Sequence, residues 1–134
     1  MTSTHTRHSR NEHAGSKAAA ISNMIVRTMS EYTGRGPTKA RTHLADELVT
    51  VLLQDTLTKG ERSLVGDGRD ELVLSMRKAF QVTMRLDLIA GIEEITGRSV
   101  LAFMSDNHIE PDMAVEVFVL APAAHAADAD GAGR

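Results

Sequence analysis

Between Gly97 and Leu120 the chain reads GRSVLAFMSDNHIEPDMAVEVFVL, two short runs of apolar and β-branched residues around a polar linker. Successive side chains of a strand point to opposite faces. In Ser99–Ser105, Val100, Ala102 and Met104 fall on one face, and Leu101 and Phe103 on the other. In Met113–Leu120, Met113, Val115, Val117 and Val119 share a face, and Ala114, Glu116, Phe118 and Leu120 share the opposite one. Both faces are largely apolar, so neither can be left wholly in water. Such a sheet is covered by helices on one side and by further protein on the other. The linker Asp106–Asp112, with Asn107 and Pro111 inside it, is rich in turn formers. The rest of the chain is expected to be built around this hairpin.

A second pair of runs precedes it. Pro37–Ala45 places Lys39, Arg41 and His43 on one face and Thr38, Ala40, Thr42 and Leu44 on the other, the half-wet pattern of an edge strand. Asp46-Glu47 makes the turn, and Leu48–Gln54 is a more buried strand. Three helical stretches surround the strands. Ser16–Thr33 carries the stripe Ile21, Met24, Ile25, Thr28, Met29, Tyr32, with Ser16 as its cap and Gly34 as its stop. Thr58-Lys59-Gly60-Glu61 has the spacing of a capping box and starts a short helix to about Val65. Asp70–Thr96 is the longest, with Leu72, Val73, Met76, Ala79, Phe80 and Thr83 and then Ile89, Ile92 and Ile95 facing inward. Leu86-Asp87-Leu88 disturbs the period, so this stretch is either one bent helix or two. Gly97 ends it. The expected fold is α+β, a four-stranded antiparallel sheet from two β-hairpins backed by helices, in the order α-β-β-α-α-β-β. Residues 1–15 are expected to be a disordered tail, 16–120 a single domain, and 121–134 a flexible tail.

Composition narrows the function. There is no cysteine among the 134 residues, which excludes disulfides, thiol catalysis and Cys-based metal sites. The formal net charge is −3, and residues 34–120 carry ten basic against fourteen acidic groups. That balance argues against non-specific nucleic-acid binding. The aromatic content of 3% leaves few stacking platforms for single strands. No apolar run approaches the roughly 20 residues needed to span a bilayer, and the polar N-terminus has no secretory signal. Cytoplasmic location is expected, peripheral to the inner face of the membrane at most.

Three sets of residues are candidate sites. Gly34-Arg35-Gly36-Pro37, with Lys39 and Arg41 after it, could form an anion site from Arg35, Gly36, Lys39 and Arg41, although the glycines do not follow a strand and open a helix as a phosphate loop requires. The alternative is a helix stop followed by the entry turn of a strand. Asp106, His108 and Asp112, beside Asn107 and Glu110, could offer oxygens and an imidazole to a hard divalent cation. The simpler account is turn hydrogen bonding. Val115, Val117 and Phe118 are candidates for a dimer or interaction surface, since so short a chain has few helices with which to cover two faces. His5 and His8 form an HxxH spacing in the tail, which a solvated tail also explains. The methionines, among them Met29 and Met84, would suit an adaptable pocket or a plain core. No catalytic triad order, phosphate loop, HExxH or dinucleotide fingerprint is present.

Gly34-Arg35-Gly36-Pro37, Leu57-Thr58-Lys59-Gly60-Glu61, Arg77, Thr96-Gly97-Arg98-Ser99-Val100, Ser105-Asp106 and the run DMAVEVFVL from Asp112 to Leu120 occur in that order. Together they resemble the MpsC-like family of small bacterial proteins over roughly residues 20–120, the scale of one domain. One departure is Leu86-Asp87, where relatives would carry a proline-containing break. The resemblance implies an accessory component of a sodium-translocating, membrane-potential-generating system linked to inorganic-carbon and cation transport. The expected function is therefore a non-catalytic interaction module without a cofactor, homodimeric, with a membrane-transport-system protein as a further partner. The alternative is a small-ligand or divalent-metal-binding regulatory domain, or an enzyme, using the Asp106–Asp112 loop.

Overall fold

The computed structural model describes the backbone of residues 2–123 and side chains from Gly15 onward. The elements run α1 (Thr2–Thr33), β1 (Lys39–Ala45), β2 (Leu48–Gln54), α2 (Lys59–Gly66), α3 (Asp70–Thr96), β3 (Val100–His108) and β4 (Met113–Leu120). The fold is α+β with the expected element order. The strands form one antiparallel sheet in the order β1-β2-β4-β3, so each hairpin stays intact and the two join through β2 and β4.

Local signals account for most element ends. Thr58 caps α2 by accepting from the Glu61 amide, and the Glu61 carboxylate accepts from the Thr58 amide. This closes the capping box and satisfies two amides that lack helical partners. Gly34 (φ 81°) and Gly97 (φ 70°) end the two long helices in the left-handed conformation. α1 begins at Thr2, so Ser16 lies inside it and does not cap it. Lys17 and Ala18–Ala20 are good helix formers and offer no stop. α3 is a single helix, with no break at Asp87, whose carboxylate instead accepts from the Tyr32 hydroxyl. The side chains of His5, His8 and His13, and residues 124–134 of the expected C-terminal tail, lie outside the described residues.

α1 and α3 pack on one face of the sheet. Ile21, Met24 and Ile25 of α1 and Met84, Leu88 and Ile92 of α3 meet Val49, Val51 and Leu53 of β2 and Ala114, Phe118 and Leu120 of β4. Each such side chain removed from water contributes roughly 1.5–3 kcal/mol. The buried stripe of α3 runs through Met84, Leu88 and Ile92, whereas Leu72, Ala79 and Thr83, expected to face inward, are exposed. In the first turns of α3 only Val73 is buried.

The two long helices approach closely at Gly91, where an added Cβ would stand 2.5 Å from Met24 Sδ. Gly36 is similarly tight, its Cβ position 2.7 Å from the Val26 carbonyl oxygen. Register corrects one expectation. The pairing of β3 with β4 shifts between Val100 and Ala102, a bulge that leaves Leu101 exposed. Val100 and Phe103 therefore face the core, while Ala102 and Met104 face away from it.

Candidate functional site

Two regions of the molecule have no structural explanation in the core alone: the cavity behind the sheet and the open face in front of it. The cavity starts from an unusual residue for its place. Along β4 the helix-facing positions are Ala114, Glu116, Phe118 and Leu120, all buried. Glu116 is only 1% exposed, and among the described residues neither of its oxygens has a well-formed hydrogen bond. Its cross-strand neighbours are Val51 and Ser105, and among the described residues the Ser105 hydroxyl likewise has no well-formed hydrogen bond. Burial pushes the Glu116 carboxyl up to about 7, with the nearby Ser105 hydroxyl and the Arg77 charge opposing the rise. Beside it lies a cavity of about 30 Å³ between α1, α3 and the sheet, whose lining includes Met29, Phe80, Gln81, Met84, Asn107 and Glu116.

The cavity wall is held by a network centred on the strand-to-helix connection Asp55–Leu57. Asp112, at the β3–β4 tip, accepts from the Thr56 amide (3.0 Å), the Thr56 hydroxyl (2.7 Å) and the Leu57 amide (3.0 Å). Arg77 of α3 donates to both oxygens of Glu61 (2.8 and 2.7 Å) and to the Thr56 carbonyl (2.6 Å). Arg35 donates to the carbonyls of Asp55 and Leu57 and to the Asp55 carboxylate. Thr38 and Arg62 complete the shell of Asp55. All three carbonyls of the connection and their three amides are thereby paired, the Asp55 amide with the Asp112 carbonyl. Burial works against ionisation of Glu61, but the Arg77 hydrogen bonds and charge and the Thr58 amide outweigh it and hold the carboxyl below its ordinary range. The Thr38 hydroxyl, against a smaller desolvation, leads the groups that lower Asp55, followed by Arg35 and Arg62.

These contacts place the expected site residues. Arg35 is spent on Asp55 and two carbonyls, Gly36 is packed on α1, and Lys39 and Arg41 are exposed on β1. The four do not form one anion cradle: the guanidinium that would anchor it already holds a carboxylate. Asp106 and His108 belong to β3 and not to a loop, on the face away from the helices, while Asp112 is turned into the network. Asp106 accepts from the Asn107 amide, and His108 Nδ1 lies 2.8 Å from the Pro111 carbonyl oxygen. Among the described residues no group of three or more His, Asp or Glu is arranged to hold a metal ion. Val115 and Val117 lie on the open face, but Phe118 does not. It is fully buried and stacks on Phe103 with ring centroids 4.6 Å apart. Strand alternation alone separates it from its two neighbours. The sequence signal of Glu116 is a single acid alternating with three core residues along β4.

A family model described as Na+-translocating membrane potential-generating system (MpsC) matches residues 13–122. The chain belongs to the MpsC family. No curated protein and no solved structure matches it significantly. In this MpsC chain, motifs far apart in sequence meet around the cavity: Arg35 and Pro37, Leu57 and Glu61, Arg77, and the Asp112–Leu120 run with its Glu116. Among the described residues, no helix is long and apolar enough to cross a membrane.

The open face is the other half of the MpsC sheet. Leu48, Thr50, Leu52 and Gln54 of β2 pair with Val119, Val117, Val115 and Met113 of β4. Beside them stand Ala102, Met104, Asp106 and His108 of β3 and Lys39, Arg41, His43 and Ala45 of β1. Among the described residues, no helix packs on this face. Met104 is 54% exposed and Leu48 43%. The centre is apolar, one edge is basic, and the other carries Asp106.

Proposed function

We propose that this chain is a non-catalytic accessory module of a membrane-potential-generating system, working at the cytoplasmic side of the membrane as a homodimer. The observation that carries the reading is the apolar open face. A contiguous exposed apolar patch is characteristic of an interaction surface, and closed twofold dimers are the commonest oligomers. Charge favours one arrangement. Rotation about an axis parallel to the strands lays β1 of one copy over β3 of the other, with Lys39 and Arg41 opposite Asp106. Rotation about an axis across the strands would set the basic edges against each other. Membership of the MpsC family supports the link to the membrane system, and a chain that binds by surfaces needs no reacting group in its cavity.

The test has two parts. Sedimentation equilibrium at micromolar concentration is expected to give a dimer for the wild type and a monomer for Val117→Asp. A wild type that stays monomeric would remove the dimer. In the native cell, deletion is expected to lower the membrane potential read by a potential-sensitive dye, with recovery from the wild-type chain and not from Val117→Asp. Unchanged potential after deletion would remove the link to the membrane system.

A further inference from the structure

α3 carries a second stripe, on the side away from the core. Leu72, Ser75, Ala79, Val82 and Leu86 recur at alternating three- and four-residue steps, which keeps them on one line along a helix. All are exposed, Val82 by 71% and Leu86 by 78%. The buried residues Val73, Met84, Leu88 and Ile92 occupy the opposite side of the same helix. No charged residue interrupts the outer seam from Leu72 to Leu86. Lys78 and Arg85 stand one heptad apart along one flank, roughly 10 Å by helical rise. Beside them a shallow hollow of about 160 Å³ opens between α3 and β3, lined by Lys78, Gln81, Val82, Arg85, Phe103 and Ser105. The Arg85 guanidinium lies over the Phe103 ring, 5.4 Å from its centroid.

Spacing and charge select the occupant. Apolar anchors at three- and four-residue steps are what one helix offers to another. The arginines around the Asp55–Leu57 connection, Arg35, Arg62 and Arg77, each pair with a carboxylate, whereas among the described residues neither Lys78 nor Arg85 does. Two unpaired cations beside an apolar seam call for carboxylates on the partner. A second copy does not supply them. An antiparallel α3 pair brings the two cationic flanks together, and a parallel pair sets them beside Thr83 and Ala90. An anionic membrane fits less well: helices that lie on membranes present a polar face rich in Lys and Arg, and this chain has a net charge of −3. The β3 edge offers little to an added strand, because Arg85 reaches the Phe103 carbonyl and the Asp106 carboxylate accepts from the Asn107 amide. We propose that the outer seam of α3 docks an amphipathic helix of another protein, apolar at three- and four-residue steps and acidic along the flank that meets Lys78 and Arg85. The proposal is independent of the homodimer, since the seam lies on α3 and not on the open face of the sheet.

A labelled synthetic helix of about three heptads, with leucine at the core positions and glutamate at the flanking ones, tests it against the full chain by fluorescence anisotropy. The wild type is expected to bind this peptide, more weakly as salt rises. The same peptide with lysine at the flanking positions is expected not to bind. Leu86→Glu is expected to raise Kd by about tenfold or more, and the double variant Lys78→Glu, Arg85→Glu to reverse the preference between the two peptides. Amide NMR shifts on the wild type read the site without any variant, and are expected along α3 from Leu72 to Leu86. No binding of the glutamate peptide, equal binding of the lysine peptide, or shifts confined to the open face of the sheet would overturn the proposal. Phosphatidylglycerol vesicles that sediment the wild type and not Leu86→Glu would assign the seam to lipid instead. Loss of wild-type self-association in Leu86→Glu would assign it to a second copy. Either result also overturns the proposal.

Discussion

The two faces of β4 are built from similar residues and meet opposite fates. Ala114, Phe118 and Leu120 are buried under α1 and α3, while Met113, Val115, Val117 and Val119 are left half-buried on the face away from those helices. The covered face contains the only acid on the strand, and the open face contains none. Apolarity therefore does not say which side of a sheet the chain will cover. The register with β2 and the placement of the helices decide it. One strand thus supplies packed core on one face and half-buried apolar side chains on the other.

The sharpest way to break this comparison is to truncate neighbours. Phe118→Ala is expected to cost about 3–5 kcal/mol of folding stability and Val117→Ala less than about 1 kcal/mol. Urea unfolding at fixed, low protein concentration measures both, and equal losses would mean that the open face is packed as the covered one is. Next comes the cavity wall. Arg77→Met leaves Glu61 buried without its counter-ion and is expected to cost about 3–5 kcal/mol at neutral pH. Glu61 titrates below its ordinary range in the fold. Its contribution is therefore present above the unfolded-state value and is lost as pH falls through the lower folded value. The gap between wild type and variant should narrow in acid.

Glu116 has the opposite sign. Its folded-state value of about 7 stands above the ordinary 4.5, so the folded chain holds the proton longer than the unfolded chain does. Wild-type stability is expected to fall on the order of 3 kcal/mol as pH rises through that window. Glu116→Gln should show no such slope, and a flat wild-type curve would mean that the carboxyl is solvated after all. Gly36→Ala drives a Cβ against the Val26 carbonyl and is expected to cost about 1–3 kcal/mol, read as a lowered Tm. The smallest effect on folding belongs to the open face. Asp106→Arg should change stability by less than about 0.5 kcal/mol yet weaken self-association, with Arg41→Glu added in the same chain restoring it. Failure of that restoration would leave the dimer axis unassigned.

Much of this architecture was legible in one dimension. β2, α3 and β4 have the limits that alternation and helical period predict, and the Thr58–Glu61 box and the glycine stops at Gly34 and Gly97 form as their residue types require. The candidate sites were less legible. Arg35 reads as an anion ligand until the fold brings Asp55 to it from twenty residues away. Asp112 reads as a cation ligand until Thr56 and Leu57 arrive with their amides. Phe118, a candidate surface residue with Val115 and Val117, lies on the face of β4 that α1 and α3 cover, where it stacks on Phe103. In each case a charged or aromatic side chain has a partner that is remote in sequence.

Sequence alone determined the elements, because propensity, capping and glycine stops act over a few residues and need no distant contact. It also determined that the sheet would be apolar on both sides. Tertiary structure alone decided which of those sides the helices cover, that Leu101 would bulge and turn Ala102 away from the core, and that the Arg35, Arg77 and Asp112 groups would close on one three-residue connection. Those outcomes depend on which long-range partner reaches a group first and leaves it satisfied. Among the described residues, Glu116 was left without a well-formed one.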